Sequence, residues 1–359
     1  MAGRMSNPHR PVKAPVQPRL RMAEPRTVVI TGASRGLGFA SAVRMYREGW
    51  RVVAAMRTPD QGMPLLRHAI QGQGMGAPDD DRLIGVQLDL TDSASIAAAA
   101  KTIEETVGAP YALVHNAGIS AAGMVEETDM ALWQRMLATS VLGPVTLTQA
   151  LLPSMRAAGH GRLVLVSSAA GVRGQPATAP YSAAKGALER WGESMACEIA
   201  PFGLGVTVLV AGTHDTEIIT DAGTIDDRNF SGPYARLHTT MNSRGRFAMK
   251  LARPPELFTD GLLKAIEDRG AFRRRGIGPD ASMLLVANRI LPASGMHHVS
   301  RIVLGIPRRG SMRGGAWPLT TSQKVMVFVA RVLPQPVLQR LAAVAGRFSS
   351  HKNAASQGD

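Results

Sequence analysis

The chain has 359 residues, 45% hydrophobic and 19% charged, a composition that excludes wholesale disorder. Its single cysteine, Cys197, excludes an intrachain disulfide or a multi-cysteine zinc site, and nine histidines without HExxH-type spacing give no reason to expect a metal enzyme. The net charge of +14 sits at the ends (+5 over residues 1–26, −2 over 27–270, +11 over 271–359), and with only 4 Trp, 4 Tyr and 8 Phe for stacking, nucleic acid is not an expected partner.

Residues 1–25 are basic and rich in proline but lack an apolar core, so they read as a disordered arm rather than a secretory signal. No uninterrupted run reaches the roughly 18 apolar residues of a membrane span. From residue 26 strands and helices alternate. TVVIT (27–31) reads as a strand, followed by a glycine-rich turn and a helix over 37–48. RVVAAM (51–56) and RLIGVQLDL (82–90) read as the next strands. A helix over 93–108 follows, with Ser93 as its expected N-cap, and then a strand opening ALVHNAG (112–118). A long unbroken helix is expected over 129–157, a strand over GRLVLVSS (161–168) and a helix over 182–199. GVTVLVAG (205–212), a helix over 255–267 and RRRGIG (273–278) complete the series.

Several of these strands are continuous apolar runs, the pattern of a parallel sheet buried on both faces. Strands joined by helices imply right-handed crossovers, so the expected fold is α/β, a doubly wound parallel sheet of Rossmann type over 26–278. Residues 279–359 lose the alternation and read as a basic, largely helical extension.

Strand 1 runs into TGASRGLG (31–38), in which glycines let the backbone approach a pyrophosphate resting on the positive end of the next helix. Arg57 stands just beyond strand 2, where NAD enzymes place a carboxylate. With Arg35 it suits a 2′-phosphate, so NADP(H) is the expected cofactor; the competing reading is two ordinary surface arginines. Tyr181 and Lys185 are spaced i, i+4 and share a helix face, and Ser168 ends strand 161–168. A phenol titrates near pH 10, and a neighbouring ammonium is expected to lower that value and make Tyr181 an acid/base.

At this point the chain resembles the short-chain dehydrogenase/reductase family, through TGASRGLG (31–38), LDLTD (88–92), HNAG (115–118), the serine of VLVSS (164–168), YSAAK (181–185) and AGTHDT (211–216). The resemblance implies that Ser168, Tyr181 and Lys185 are catalytic. It also implies that Gly32, Ser34, Arg35, Gly36, Leu37, Gly38, Arg57, Asp89, Leu90, Asn116, Ala117, Gly118 and Thr216 bind the cofactor together with Tyr181 and Lys185. The family's catalytic asparagine is replaced by Ser140, which implies a weakened or rearranged proton relay to the lysine. Ala211 replaces a usual proline, and His214 nearby is read first as a backbone contact. His115, Cys197, Met130, Met136 and Met155 read as packing residues.

The expected activity is interconversion of a carbonyl and an alcohol on a small, lipophilic substrate covered by residues 217–250. The alternative is an NADP(H)-binding scaffold with little catalysis. Residues 323–333 and 336–348 interleave apolar positions with Lys or Arg, which fits an anionic membrane surface, a partnerless basic surface or a protein partner. A cytoplasmic protein, peripheral on the membrane, and a homodimer paired through helices 129–157 and 182–199 complete the expectations.

Overall fold

A computed structural model of the chain describes residues 25–74, 76–215, 224–250 and 252–313. Seven parallel strands form the main sheet: β1 (Thr27–Thr31), β2 (Arg51–Met56), β3 (Leu83–Gln87), β4 (Ala112–His115), β6 (Gly161–Ser168), β7 (Leu204–Ala211) and β9 (Phe272–Ile277). Their order is β3-β2-β1-β4-β6-β7-β9. The order reverses between β1 and β4, and in such sheets ligands bind in the crevice beyond the strand carboxyl ends at that point.

The apolar runs have the expected cause. Val28 and Ile30 of β1 pack on one face with α1 (Gly36–Arg47), α2 (Pro59–Gln71) and α9 (Glu256–Ile266), while Val29 packs on the other. That second face is covered by α3 (Ser93–Val107), α5 (Gly143–Ala158) and α7 (Ala179–Ile199). A sheet covered on both faces leaves no polar side for these strands. Two short parallel strands, β5 (Ser120–Ala122) and β8 (Thr224–Asp226), form a separate small sheet.

The helix expected over 129–157 is interrupted. It comprises α4 (Met130–Leu137), a π-helical turn over Ala138–Leu142, and α5. Pro144 has no N–H to give the carbonyl of Ser140, four residues back, and its ring crowds that carbonyl, so the helix loosens at Ser140. Met130–Ala158 as a whole is long and apolar enough to cross a membrane by composition. Here it is a core helix, with Met136, Leu147, Leu151 and Met155 fully buried.

The cap of α3 is Asp92 rather than Ser93: the Asp92 carboxylate accepts from the Ala94 N–H at 2.9 Å. Met130 is 68% exposed and Cys197 faces solvent, so neither is the packing residue expected.

Two compact units divide the chain, Met1–Asn229 with Gly245–Pro292, and Phe230–Arg244 with Ala293–Asp359. The first also contains the short α6 (Ala169–Val172) and α10 (Pro279–Ile290), which lies against β9 and places Ala281 in the core. In the second, α8 (Ala235–Met249, its last turn in the first unit) and α11 (Ala293–Leu304) are joined where Arg244 donates to the Ile302 carbonyl at 2.7 Å and to that of Val303. The helical reading of the segment after 278 holds as far as Leu304. Residues 1–24 and 314–359, with the expected arm and the two basic amphipathic helices, lie outside the described residues.

Candidate active site

The glycine-rich turn is shaped by contacts rather than by composition alone. Gly32 has φ +69°, and a Cβ there would lie 2.8 Å from Ala117 Cα. A Cβ on Gly38 would lie 2.2 Å from the Gly32 carbonyl oxygen and 2.4 Å from Asn116 Nδ2. The turn is therefore folded against the end of β4. Asn116 makes this fold: its amide donates to the carbonyls of Thr31 (3.0 Å) and Gly32 (3.3 Å). In turn the Thr31 hydroxyl accepts from the backbone N–H of Asn116 and Ala117.

The helix that follows, α1, has Arg35 before it in an extended conformation, and the Arg35 side chain makes no cap hydrogen bond. A cradle in which a Cβ would collide, opening onto a helix amino end, fits a pyrophosphate. Arg35 and Arg57 are exposed, Ser34, Gly36 and Leu37 half-buried. The Asp89 carboxylate accepts from Thr91 N–H and hydroxyl (2.9 and 2.7 Å). These bonds, with a smaller contribution from Arg57, hold it below the usual carboxylate range. Leu90 is buried beneath the start of α5, its carbonyl only 2.3 Å from where a Gly143 Cβ would sit.

Ser168, Tyr181 and Lys185 come together at the carboxyl end of β6. Ser168 caps α6 through Ala170 N–H at 3.3 Å, and its hydroxyl is near enough to Tyr181 to favour the phenolate. Lys185 is buried. Its ammonium donates to the Val166 carbonyl at 2.7 Å, lies 5.9 Å from the Tyr181 ring centre, and would be 3.5 Å from a Cβ on Gly118. The side chains expected to be catalytic thus lie beside Gly118 at the end of β4.

The charge states depart from the sequence expectation. Burial pushes the Tyr181 phenol up, and the Ser168 hydroxyl only partly opposes this. The Lys185 ammonium donates to the Val166 carbonyl at 2.7 Å. Burial pushes Lys185 itself down to about 8, against the opposing charge of Glu189. Ser140 is 1% exposed at the π-helical turn, and its hydroxyl has no partner among the described residues. Thr216 lies outside the described residues.

His115 is buried against Thr148 (2.8 Å) and beside Trp191, and burial pushes it down to about 3, which suits packing rather than proton transfer. His214 Nδ1 sits 3.0 Å from the Gly212 carbonyl with its ring edge-on to Phe258, so its side chain packs within the fold. The sequence reading missed Glu189. It is buried, accepts from the Ser167 hydroxyl at 2.7 Å and pairs with Arg274 at 2.9 Å. The signal was present in the stride of four that links Tyr181 to Lys185, because one further step reaches Glu189.

Comparison with known proteins agrees with this geometry. A family model described as short chain dehydrogenase matches residues 26–225. The chain is 32% identical over 194 residues to the uncharacterized oxidoreductase YusZ of Bacillus subtilis, covering 54% of this chain and 66% of that one. It is 34% identical over 196 residues to retinol dehydrogenase 8 of Bos taurus, covering 54% and 60%. The chain thus spans about two thirds of the length of the curated relatives it matches. A crystal structure of a short-chain dehydrogenase from Streptomyces avermitilis superposes with a TM-score of 0.66 at 26% identity, covering 80% of this chain and all of that one.

Proposed function

The chain belongs to the short-chain dehydrogenase family, oxidoreductases that use a nicotinamide cofactor, and from that premise we propose that it reduces a lipophilic ketone or aldehyde with NADPH. The observation that carries the reading is the convergence of Ser168 at the end of β6 with Tyr181 and Lys185 of α7, the Lys185 ammonium 5.9 Å from the Tyr181 ring centre and beside Gly118. When bound, the reduced nicotinamide supplies a hydride to the carbonyl carbon. Tyr181 donates its proton to the carbonyl oxygen, leaving an alcohol, and Ser168 holds that oxygen beside the phenol. Burial keeps the phenol protonated, so the proton is in place, and the Ser168 hydroxyl opposes the rise that makes it a weaker acid.

Gly32, Ser34, Gly36, Leu37 and Gly38 would hold the pyrophosphate, Arg35 and Arg57 the 2′-phosphate, and Asp89 and Leu90 the adenine. Ala117 and Gly118 would line the cleft that Asn116 shapes, and Thr216 would close it. Lys185 would bind the nicotinamide ribose, and Ser140 would hold a proton-relaying water. The half-buried apolar side chains Ile119, Leu137, Val141 and Ile225 cluster with Tyr181, which favours an apolar substrate, as does the similarity to retinol dehydrogenase 8.

Tyr181→Phe is the test: NADPH oxidation with a panel of lipophilic carbonyls should fall at least 100-fold, with NADPH binding retained. Turnover unchanged in the variant would refute the reading. Replacing Arg57 by Gln should weaken NADPH binding and leave NADH binding alone.

Peripheral attachment to an anionic membrane belongs to the same reading. On α10, Met283, Val286 and Ile290 form an i, i+3, i+7 stripe with 71%, 58% and 72% exposure, in a segment of net charge +11. Co-sedimentation with anionic but not neutral vesicles tests this. A homodimer through α4, α5 and α7 is consistent with exposed Met130 and Leu142, and sedimentation velocity tests it.

A further inference from the structure

Beneath the site, α7 is fastened to β6 by two side chains one helical turn apart, acting on adjacent strand residues. Lys185 Nζ donates to the Val166 carbonyl at 2.7 Å, and the Ser167 hydroxyl donates to Glu189 Oε1 at 2.7 Å. The second carboxylate oxygen of Glu189 pairs with Arg274 of β9 at 2.9 Å, and Arg274 also reaches Glu193 at 2.7 Å. Glu189 is 1% exposed. A carboxylate at that depth is costly and is held as an ion only by such partners. Alternatives of equal shape, such as a leucine at 189 with an uncharged residue at 274, would serve packing alone.

We propose that Glu189, anchored by Ser167 and Arg274, is a positioning residue for Lys185: it fixes α7 in register on β6 and supplies the negative charge that keeps the buried lysine an ammonium. The inference builds on the reading of function given above, in which that ammonium faces the coenzyme ribose. Among the described residues, the charged or titratable groups around Lys185 are these. On α7 they are Tyr181, Glu189, Arg190 and Glu193; from β9 there is Arg274. From β6 come only the Val166 carbonyl and the hydroxyls of Ser167 and Ser168, and Gly118 closes the β4 side. Glu189 opposes the loss of charge that burial imposes on Lys185.

The experiment needs neither substrate nor coenzyme. The full chain labelled with ¹³Cε-lysine has seven lysines, and the Lys185 resonance is assigned by its disappearance in Lys185→Arg. In Glu189→Gln, which can still accept from Ser167, the Lys185 titration midpoint should fall by roughly one pH unit, the size of a lost opposite charge nearby. Glu189→Asp, keeping the charge, should restore most of it. An unshifted midpoint in folded Glu189→Gln overturns the proposal. Should that variant fail to fold, the unaltered protein decides: the Lys185 carbon must show a second inflection at acid pH as Glu189 takes up its proton, and its absence overturns the proposal equally. Because the readout is the lysine itself, an inactive enzyme that shows the shift would sink the proposed reaction and leave this inference standing.

Discussion

Gly38→Ala separates a glycine required by contact from one merely permitted. Gly38 lies in the first turn of α1, where alanine would ordinarily gain about 1 kcal/mol in helix propensity. Here the new Cβ would lie 2.2 Å from the Gly32 carbonyl oxygen and 2.4 Å from Asn116 Nδ2. Comfortable contacts lie about 1 Å or more farther out, and neither neighbour is the free end of a flexible chain. Overpacking of this kind costs roughly 1–3 kcal/mol. Pushing Asn116 aside also loosens its bonds to Thr31 and Gly32, each worth about 1 kcal/mol. After the propensity gain is set against these, a loss of about 3 kcal/mol remains, or some 6–12 °C in melting temperature for a unit of this size. Because the displaced groups form the proposed pyrophosphate cradle, NADPH affinity should fall more than tenfold. The control is Gly245→Ala in α8, where a Cβ meets nothing within 4 Å. It should stabilise by up to about 1 kcal/mol and leave NADPH affinity alone. Urea unfolding and NADPH fluorescence titration read both quantities. A Gly38→Ala protein as stable as the parent, binding NADPH within twofold, would refute the contact argument.

His115 is held neutral down to about pH 3, whereas in the unfolded chain it takes a proton below about pH 6.5. Between those values the unfolded chain binds more protons, so stability rises with pH and acidification costs up to about 1.4 kcal/mol per unit. His115→Asn, which can still bond Thr148, should flatten the stability curve measured by urea unfolding from pH 6.5 to 4. Ser140→Asn should extend an amide from the buried π-helical turn and strengthen the relay by about one hydrogen bond. The expected rise in kcat is roughly fivefold, and no change or a fall counts against it. Ala177, four residues before Tyr181, has φ +59°, a left-handed conformation that costs alanine about 1–2 kcal/mol. Ala177→Gly should raise unfolding stability by about 0.5–1 kcal/mol after the added freedom of the unfolded glycine is counted.

Strand positions were legible because the sheet is covered on both faces. Strands 27–31, 51–56 and 161–168 stand where their apolar runs stand, since no face of them needs polar residues. Helix α2 escaped for the opposite reason: its residues include Gly62 and Pro64, which read as breakers. It survives because Gly62 lies close on the Met56 side chain, whose sulfur would be 2.2 Å from a Cβ, and because Leu66 and Ile70 are fully buried beneath it. The β5–β8 pair could not be read locally at all, for Ser120 meets Thr224 across more than a hundred residues. The π-helical turn was legible in principle, since Pro144 marks the carbonyl of Ser140 as unpaired.

Identity and charge state of the proposed catalytic residues were unequally legible. A phenol and an amine four residues apart on a helix share a face by geometry alone, and a strand-end serine falls beside them wherever the helix returns across the sheet. Charge state depends on depth and on where each proton points, and neither has a local signature. The amine was expected to acidify the phenol. Instead it donates to the Val166 carbonyl, 5.9 Å from the ring centre, and burial acts on both groups in the direction of neutrality. For the phenol that means a retained proton, available to a carbonyl oxygen. For the amine it means a charge at risk near neutral pH, and Glu189, paired with Arg274 across the neighbouring strand edge, opposes that loss. The residue types that name the chemistry were written locally in the sequence. The groups that set their protonation came from β6, α7 and β9 together, and only the folded sheet brings those three within hydrogen-bonding reach.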